Sequence, residues 1–274
     1  MQYNLIFDLG LHKGEDSEFY LKKGFRVIGV DASGELCRFC RNRLKKYIDN
    51  GSLVILNYAI GTKNNQPTTF YKNLNNSVWG TTDINWAKRN EKFGTVSVAV
   101  EVETIRLDTL IKKYGVPYYL KVDIEGMDLL AVKQLLHISE KPQYLSIESE
   151  KRSWKKLLEE CSFLKELGYT EFKIINQKKI NTQRSPDKPL EGKSIAHVFE
   201  EGCSGLFGKE LPGSWMSYKE CIRFYKGVFI KYKLFGDFGW FNNRFFRSIL
   251  YMMKIKYPDV GWYDTHVTYN HNKI

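Results

Sequence analysis

The apolar positions near the amino terminus fall in short runs, not at helical spacing. Asn4-Leu5-Ile6-Phe7 is one run, ended by Asp8. Arg26-Val27-Ile28-Gly29-Val30 is the next, ended by Asp31. Such runs predict strands buried on both faces in a parallel sheet. Between them, Gly10 and Gly14 bracket a loop, a helix runs to about Lys23, and Gly24 stops it. Strand, glycine loop, helix and strand form half of a mononucleotide-binding unit. Its ligand belongs at the carboxyl ends of the strands, against the helix amino terminus.

The pattern continues in the same style. Ser33 to Asp49 reads as a helix capped by Ser33. Leu53 to Leu56 is a third strand, and Asn57-Tyr58-Ala59-Ile60-Gly61 turns the chain. In sheets of this type the segment after the third strand lies beside a nucleotide base. Ala59 and Ile60 are therefore either flanks of an adenine or ordinary core. Thr68 to Tyr71 is a short outer strand, and Val96 to Val102 alternates as a strand. Asn73 to Asn90 is polar and without period, a loop with one helical turn and a candidate lid. Leu107, Leu110 and Ile111 mark an amphipathic helix that Pro117 breaks. Tyr118 to Val122 is a strand running into Asp123-Ile124-Glu125-Gly126, and Gln143 to Ile147 is a strand ending in Glu148. Three strand ends thus carry acids: Asp8, Asp123 and Glu148. Trp154 to Glu166 and Tyr169 to Asn176 add one more helix and strand. The fold class is α/β, with residues 1–176 as a cofactor-binding core and 177–274 as a carboxyl-terminal extension.

Composition adds little to this and charge adds more. At 274 residues with 43% hydrophobic and 27% charged positions, the chain is one large globular domain or a domain with an insertion. The first strand begins at once, which leaves no room for a signal peptide, and no run of 18 apolar residues exists; a cytoplasmic protein is expected. Cys37 and Cys40 form a C-x-x-C without a second pair at metal spacing, so reduced structural thiols are expected. The net charge of +11 calls for an anionic partner without choosing among nucleic acid, acidic lipid and phosphorylated sugar.

The glycine spacing narrows the ligand. A dinucleotide loop reads G-x-G-x-x-G. Here it reads Asp8-x-Gly10-x-x-x-Gly14, with an acid leading. An acid suits a ligand that carries positive charge, and S-adenosylmethionine, with an ammonium and a sulfonium, fits better than NAD. Together with LDTLIKKYGVPYYLKVDIEGMDLLAVKQL, this opening resembles the FkbM-type S-adenosylmethionine-dependent methyltransferases over about residues 3–150. The resemblance implies the class I methyltransferase fold, a Rossmann-like, mostly parallel sheet of seven strands with helices on both faces. It implies O-methylation of sugars, glycans or other hydroxylated small molecules. Carried over by position, Asp8, Gly10 and Gly14 form the cofactor loop and Asp31 takes the ribose. Asp123 and Glu125 lie beside the methyl group or the acceptor. Two positions depart from the family: His12 stands where Asn is usual, and Asp31-Ala32 replaces the more frequent Glu-Pro. An imidazole at position 12 can replace the amide as a hydrogen-bond partner of the cofactor or of a backbone group.

The tail is different in kind. Residues 211–274 hold ten Lys/Arg against four Asp/Glu, and 17 aromatics. The basic, greasy stretch 229–256 would suit an anionic membrane surface, stacking on sugars, or packing on the core as a cap. Asp264 and His266, two residues apart, have the form of a general base with an orienting acid. Proton removal from an acceptor hydroxyl has two routes: His266 or a carboxylate as base, or Mg²⁺ held by Asp123 and Glu148. Besides an O-methyltransferase, an RNA methyltransferase and a non-catalytic membrane- or partner-binding module fit the charge. No RNA-binding module and no Asn-Pro-Pro-Tyr-like motif is present, so nucleic acid is not the expected partner.

Overall fold

The computed structural model describes residues 1–150, 153–200, 202–236 and 239–269. The chain forms two compact units, Met1–Glu148 with Ile180–Pro212, and Ser149–Lys179 with Gly213–Ile274.

The first unit begins with β1 (Gln2–Leu9), α1 (Glu15–Lys22) and β2 (Arg26–Asp31). α2 (Gly34–Arg43), α3 (Lys45–Asp49) and β3 (Leu53–Asn57) follow. The helix expected over 33–49 is therefore broken at Leu44, whose buried side chain turns inward, while Ser33 caps α2 by accepting from the Leu36 amide. A three-stranded sheet comes next, from β4 (Ala59–Ile60), β5 (Pro67–Asn73) and β6 (Ser97–Ile105), with α4 (Ile84–Lys92) between the last two. Then come α5 (Leu107–Tyr114), β7 (Pro117–Val122), α6 (Asp128–Lys133) and β8 (Tyr144–Glu148).

The main sheet of this unit runs β8-β7-β1-β2-β3, with every pair parallel. β1 is its start, with β2 on one side and β7 on the other, so the strand order reverses there. That switch point is where open α/β sheets bind ligands. β1 and β7 are central, and residues 5–9 of β1 and all of β7 are buried, as strands covered on both faces must be.

Residues 180–212 pack behind α1. Phe207 meets Tyr20 edge-on at 5.1 Å and stacks on Tyr119 at 5.0 Å. Lys23 sits 3.0 and 2.9 Å from the two carboxylate oxygens of Glu210, with both side chains fully buried. This strap fixes α1, and with it the glycine loop that precedes α1.

The second unit holds α7 (Trp154–Glu166), β9 (Glu171–Asn176), β10 (Met216–Ser217), α8 (Tyr218–Phe235), α9 (Arg244–Met252) and β11 (Tyr263–Thr268). β9 lies between β10 and β11, antiparallel to both. Ser217 and Glu220 close a capping box at the start of α8. Counted over both units, these two ladders hold eight strands, where seven were expected; two-residue β10 is the addition. The α/β class with a mostly parallel sheet is as expected.

Candidate active site

The glycine loop is shaped by steric necessity. Gly10 has φ 89° and Gly14 φ 79°. A Cβ on Gly10 would stand 1.8 Å from the Asp123 carbonyl oxygen, so no side chain fits. The Gly10 and Leu11 amides both donate to the Val30 carbonyl, at 2.9 and 3.2 Å, which pins the loop to β2. His12 also lies in the left-handed region, with φ 49°. Asn and His are both enriched there among non-glycine residues, which accounts for a His where Asn is usual. Its imidazole Nε2 lies 2.8 Å from Ser77 Oγ, and Nδ1 lies 3.4 Å from Glu15. The ring thus ties the loop to residue 77 and to α1.

Asp31 ends β2 with its carboxylate braced by backbone. The Ser33 amide donates to Oδ1 at 2.7 Å and the His12 amide to Oδ2 at 2.9 Å. Each oxygen keeps a lone pair for one further donor, which matches the two hydroxyls of a ribose diol. Burial pushes its pKa up to about 6, against the two amides. The C-x-x-C has a structural use here. Cys40 Sγ donates to the His12 carbonyl at 3.1 Å and Cys37 Sγ to the Asp31 carbonyl at 3.5 Å. Burial, with Asp31 nearby, pushes both thiols up to about 12, so neither is a nucleophile.

Asp8 is fully buried, and its charge is met from within the protein. Ser17 Oγ donates to it at 2.7 Å, and Lys121 Nζ lies 3.3 Å away. The expectation that Asp8 faces a cationic ligand is corrected: the side chain has no exposed surface to offer. Lys121 is the hub. It also lies 3.5 Å from Asp16 and 3.5 Å from Asp123, and 3.4 Å from the Gly10 carbonyl. Burial opposes its charge, but Asp8, Asp123 and Asp16 outweigh burial and hold the ammonium above its ordinary range. Sequence reasoning missed Lys121. The available signal was a lysine inside a strand otherwise apolar on both faces.

The Asp123-Ile-Glu-Gly turn follows β7. Glu125 and Gly126 have φ 50° and 95° in succession. Asp128 braces the turn by accepting from the Ile124 amide at 3.3 Å and the Gly126 amide at 3.2 Å. One carboxylate oxygen from each of Asp123, Glu125 and Glu148 lies within 4.8 Å of the others. Burial, then the charges of Glu148 and Asp123, raises the Glu125 pKa well above the ordinary carboxylate range. Asp128 is pushed up to about 8 by burial and by the Asp123 and Glu148 charges. The pair expected to hold Mg²⁺, Asp123 and Glu148, is thus brought together with Glu125; nothing beyond that proximity points to the ion.

The segment expected as a loop, 73–90, carries more helix than one turn: a 3-10 turn at Ser77–Trp79 and then α4, capped by Asp83. It covers the turn. Thr81 Oγ1 donates to the Glu125 carbonyl at 2.7 Å. A Cβ on Gly126 would reach within 2.5 Å of Trp86 Nε1. Arg89 stacks over Trp86 at 4.1 Å and is the cation whose charge opposes the rise at Glu125.

Two expectations find no place here. Ala59 and Ile60 are core residues of the three-stranded sheet. Ala59 packs with Phe70 and Val102, and neither has an exposed face to lay against an adenine. His266 lies on β11 in the second unit, opposite Lys173 of β9, and is 1% exposed. Burial, with the Lys173 charge, pulls its pKa down to about 3. An imidazole so reluctant to take a proton is a poor general base at neutral pH.

Charge and shape together fit S-adenosylmethionine. Asp31, Asp123, Glu125 and Glu148 are half-buried acids at the carboxyl ends of β2, β7 and β8. Their excess suits an ammonium and a sulfonium, and the braced Asp31 suits a ribose.

No curated protein matches the chain. Among solved structures, it is similar to the methyltransferase FkbM from Methylobacillus flagellatus KT, with 17% identity and TM-score 0.40, over 63% of this chain and 40% of that one. The chain therefore spans less than half the length of that protein. It is also similar to a SAM-dependent methyltransferase from Archaeoglobus fulgidus, with 12% identity and TM-score 0.38, over 97% and 86% of the two chains. A third likeness is to a SAM-dependent methyltransferase from Thiobacillus denitrificans in complex with S-adenosyl-L-homocysteine. There the identity is 8% and the TM-score 0.36, over 97% and 85%. Likenesses this distant carry no argument about chemistry. The sequence model of the methyltransferase FkbM domain is different in weight: it matches residues 8–171, more than half of the chain, and the chain belongs to the FkbM family of S-adenosylmethionine-dependent methyltransferases.

Proposed function

We propose that the protein transfers a methyl group from S-adenosylmethionine to a hydroxyl of a sugar, a glycan or a similar small molecule. The observation that carries this is the set of three carboxylates at the β7 and β8 ends, beside a glycine loop and a braced Asp31. When bound, S-adenosylmethionine supplies a methyl group on a sulfonium, ready for in-line displacement by an oxygen.

The residues do the rest. Asp31 accepts hydrogen bonds from a diol with both oxygens already oriented by amides. Glu125 and Glu148 crowd each other and Asp123, so the cluster tends to retain a proton, with Arg89 opposing only in part. A positive charge in the site favours loss of that proton and leaves Glu125 as the carboxylate that takes the acceptor hydroxyl's proton. A hydroxyl needs such help at neutral pH, since it must lose its proton as the new bond forms. Trp86 and Thr81 hold segment 77–90 over the turn and limit water.

The test has two stages. Calorimetric titration with S-adenosylhomocysteine should show binding, and NAD should show none. Radiolabelled methyl transfer to a panel of saccharides and amines should favour hydroxyls. Glu125→Gln should cut turnover roughly 10²–10⁴-fold with S-adenosylhomocysteine affinity unchanged. Transfer to amines only, or full turnover by Glu125→Gln, overturns the proposal.

A further inference from the structure

The second unit concentrates exposed apolar side chains in one stretch. Trp240 is 68% exposed, Phe245 77%, Tyr251 86% and Met252 74%. All six residues of Tyr251-Met-Met-Lys-Ile-Lys256 are exposed. α9 divides by face. Phe245 and Met252, seven positions apart, share one stripe; it lies about a quarter-turn from the stripe of Arg244, Arg247, Ser248 and Tyr251. Phe246 anchors the helix from the side, with its ring 4.8 Å from Phe241 and 6.3 Å from Phe235 at the end of α8. The Phe245/Met252 stripe is thus left outward.

Charge surrounds it. Residues 226–256 hold seven Lys/Arg and one acid, Asp237. Asp237 and Phe238 lie outside the described residues. Arg247 stacks on Tyr257 at 4.4 Å and bonds Asn242, yet stays exposed. Lys233 lies over the Trp240 ring at 5.0 Å. Among the described residues no helix is long and apolar enough to cross a membrane.

Three occupants compete for such a surface. A second copy would bring the same seven cations face to face and repel. A nucleic acid would use the cations, but Met252, Met253 and Ile255 offer nothing to a phosphate or a base. An anionic bilayer uses both halves: aromatic and long apolar side chains enter the headgroup–acyl boundary, and Lys/Arg meet lipid phosphates.

We propose that residues 240–256 dock the protein on an anionic lipid surface. Trp240, Phe245 and Met252 insert, and Arg244, Lys254 and Lys256 pair with the headgroups. The segment lies in the interface plane and does not span it. This surface stands apart from the methyl-transfer proposal and can succeed or fail without it.

The full chain is floated with vesicles of phosphatidylcholine, or of phosphatidylcholine containing about one-third phosphatidylglycerol. Binding to the anionic vesicles should be at least about tenfold stronger, and should fall steeply between about 50 mM and about 500 mM salt. Trp240→Ser with Phe245→Ser keeps the charge and should weaken anionic binding about tenfold or more. Lys254→Glu with Lys256→Glu should remove the preference for anionic lipid. All sites are exposed, and unchanged circular-dichroism melts show that the variants fold. Quenching of wild-type tryptophan fluorescence by brominated acyl chains, lost in Trp240→Ser, reads insertion directly. Equal binding to neutral vesicles overturns the proposal, and so does no binding to either. A dimer that Phe245→Ser converts to monomer, or an RNA shift without vesicle binding, would assign the surface to another occupant.

Discussion

Replacing Lys121 with Met tests the internal charge network of the glycine loop. Met keeps most of the length and apolar volume of the side chain and removes the ammonium. Three carboxylates lose their shared cation: Asp8 at 3.3 Å, Asp16 at 3.5 Å and Asp123 at 3.5 Å. A single pair at such a distance is worth about 5 kcal/mol at an effective dielectric of about 20, before desolvation is charged against it. Asp123 is partly exposed and counts for less; Asp8 is fully buried and counts for most. The cluster has one escape, which is to bind a proton. Forcing a carboxyl of ordinary pKa, about 3.9, to stay neutral costs about 4 kcal/mol at pH 7 and about 1.5 kcal/mol at pH 5. The first value agrees with the roughly 3–5 kcal/mol lost when one partner of a buried ion pair is removed.

The sign with pH follows from the same groups. Asp16 already has its pKa pushed up to about 6 by burial, against the pull of Lys121. Without Lys121 it rises further, so the folded variant binds an extra proton that the unfolded chain releases above its ordinary pKa. The destabilisation is full at neutral pH and shrinks as pH falls toward the unfolded pKa. Thermal melts of Lys121→Met should therefore drop by roughly 10 °C near neutral pH and by about a third of that near pH 5. Asp8→Asn added to Lys121→Met should recover part of the loss, since it removes the most buried orphan. A drop under about 2 °C, or an equal drop at both pH values, would refute the network.

Asp31→Ala should weaken S-adenosylhomocysteine binding by about 1–3 kcal/mol, read by calorimetry, and unchanged affinity would remove the ribose assignment. In the wild type, that affinity should fall as pH drops below about 6 and then level off, at a loss no greater than that of Asp31→Ala, because protonated Asp31 offers one acceptor fewer to the diol. His266→Ala should lower the melting temperature, as loss of a buried side chain does, while turnover per folded molecule stays near wild type; a loss of about 10² or more would restore His266 as base.

The half of the site that was legible in the sequence is the half made by neighbours. Strand ends are read from where apolar runs meet an acid or a glycine, so Gly10, Gly14, Asp31 and Asp123 could be placed without coordinates. The illegible half is made by long-range contacts. Lys121 meets Asp8 across 113 residues and His12 meets Ser77 across 65. Lys23 meets Glu210 across 187. Helix α4 was missed for a different reason: its sequence is rich in polar residues, and its buried Asn90 is held by donating to the Trp79 carbonyl, a contact that the residue types do not announce. Ala59 and Ile60 fit an adenine wall by position alone; the packing of Ala59 on Phe70 and Val102 and the burial of Ile60 show them as core.

The role of Asp8 shows why an acid at a strand end is an ambiguous signal. Its residue type suits a cationic ligand, but a central strand is dry, and a carboxylate there must find a cation within the fold. Lys121 on the neighbouring strand β7 is that cation; its register partner on β1 is Asp8 itself. The pair neutralises the floor of the loop and leaves the ligand-facing charge to acids at the rim, where Asp31, Asp123, Glu125 and Glu148 stay half-exposed. Two functions are thus divided between two layers. The buried layer sets the shape of the glycine loop through Lys121 and the Gly10 carbonyl, and the rim sets the charge that a ligand meets. A substitution in the floor should act through stability, and a substitution at the rim through affinity or turnover. The contrast between Lys121→Met on one side and Asp31→Ala with Glu125→Gln on the other measures that division directly.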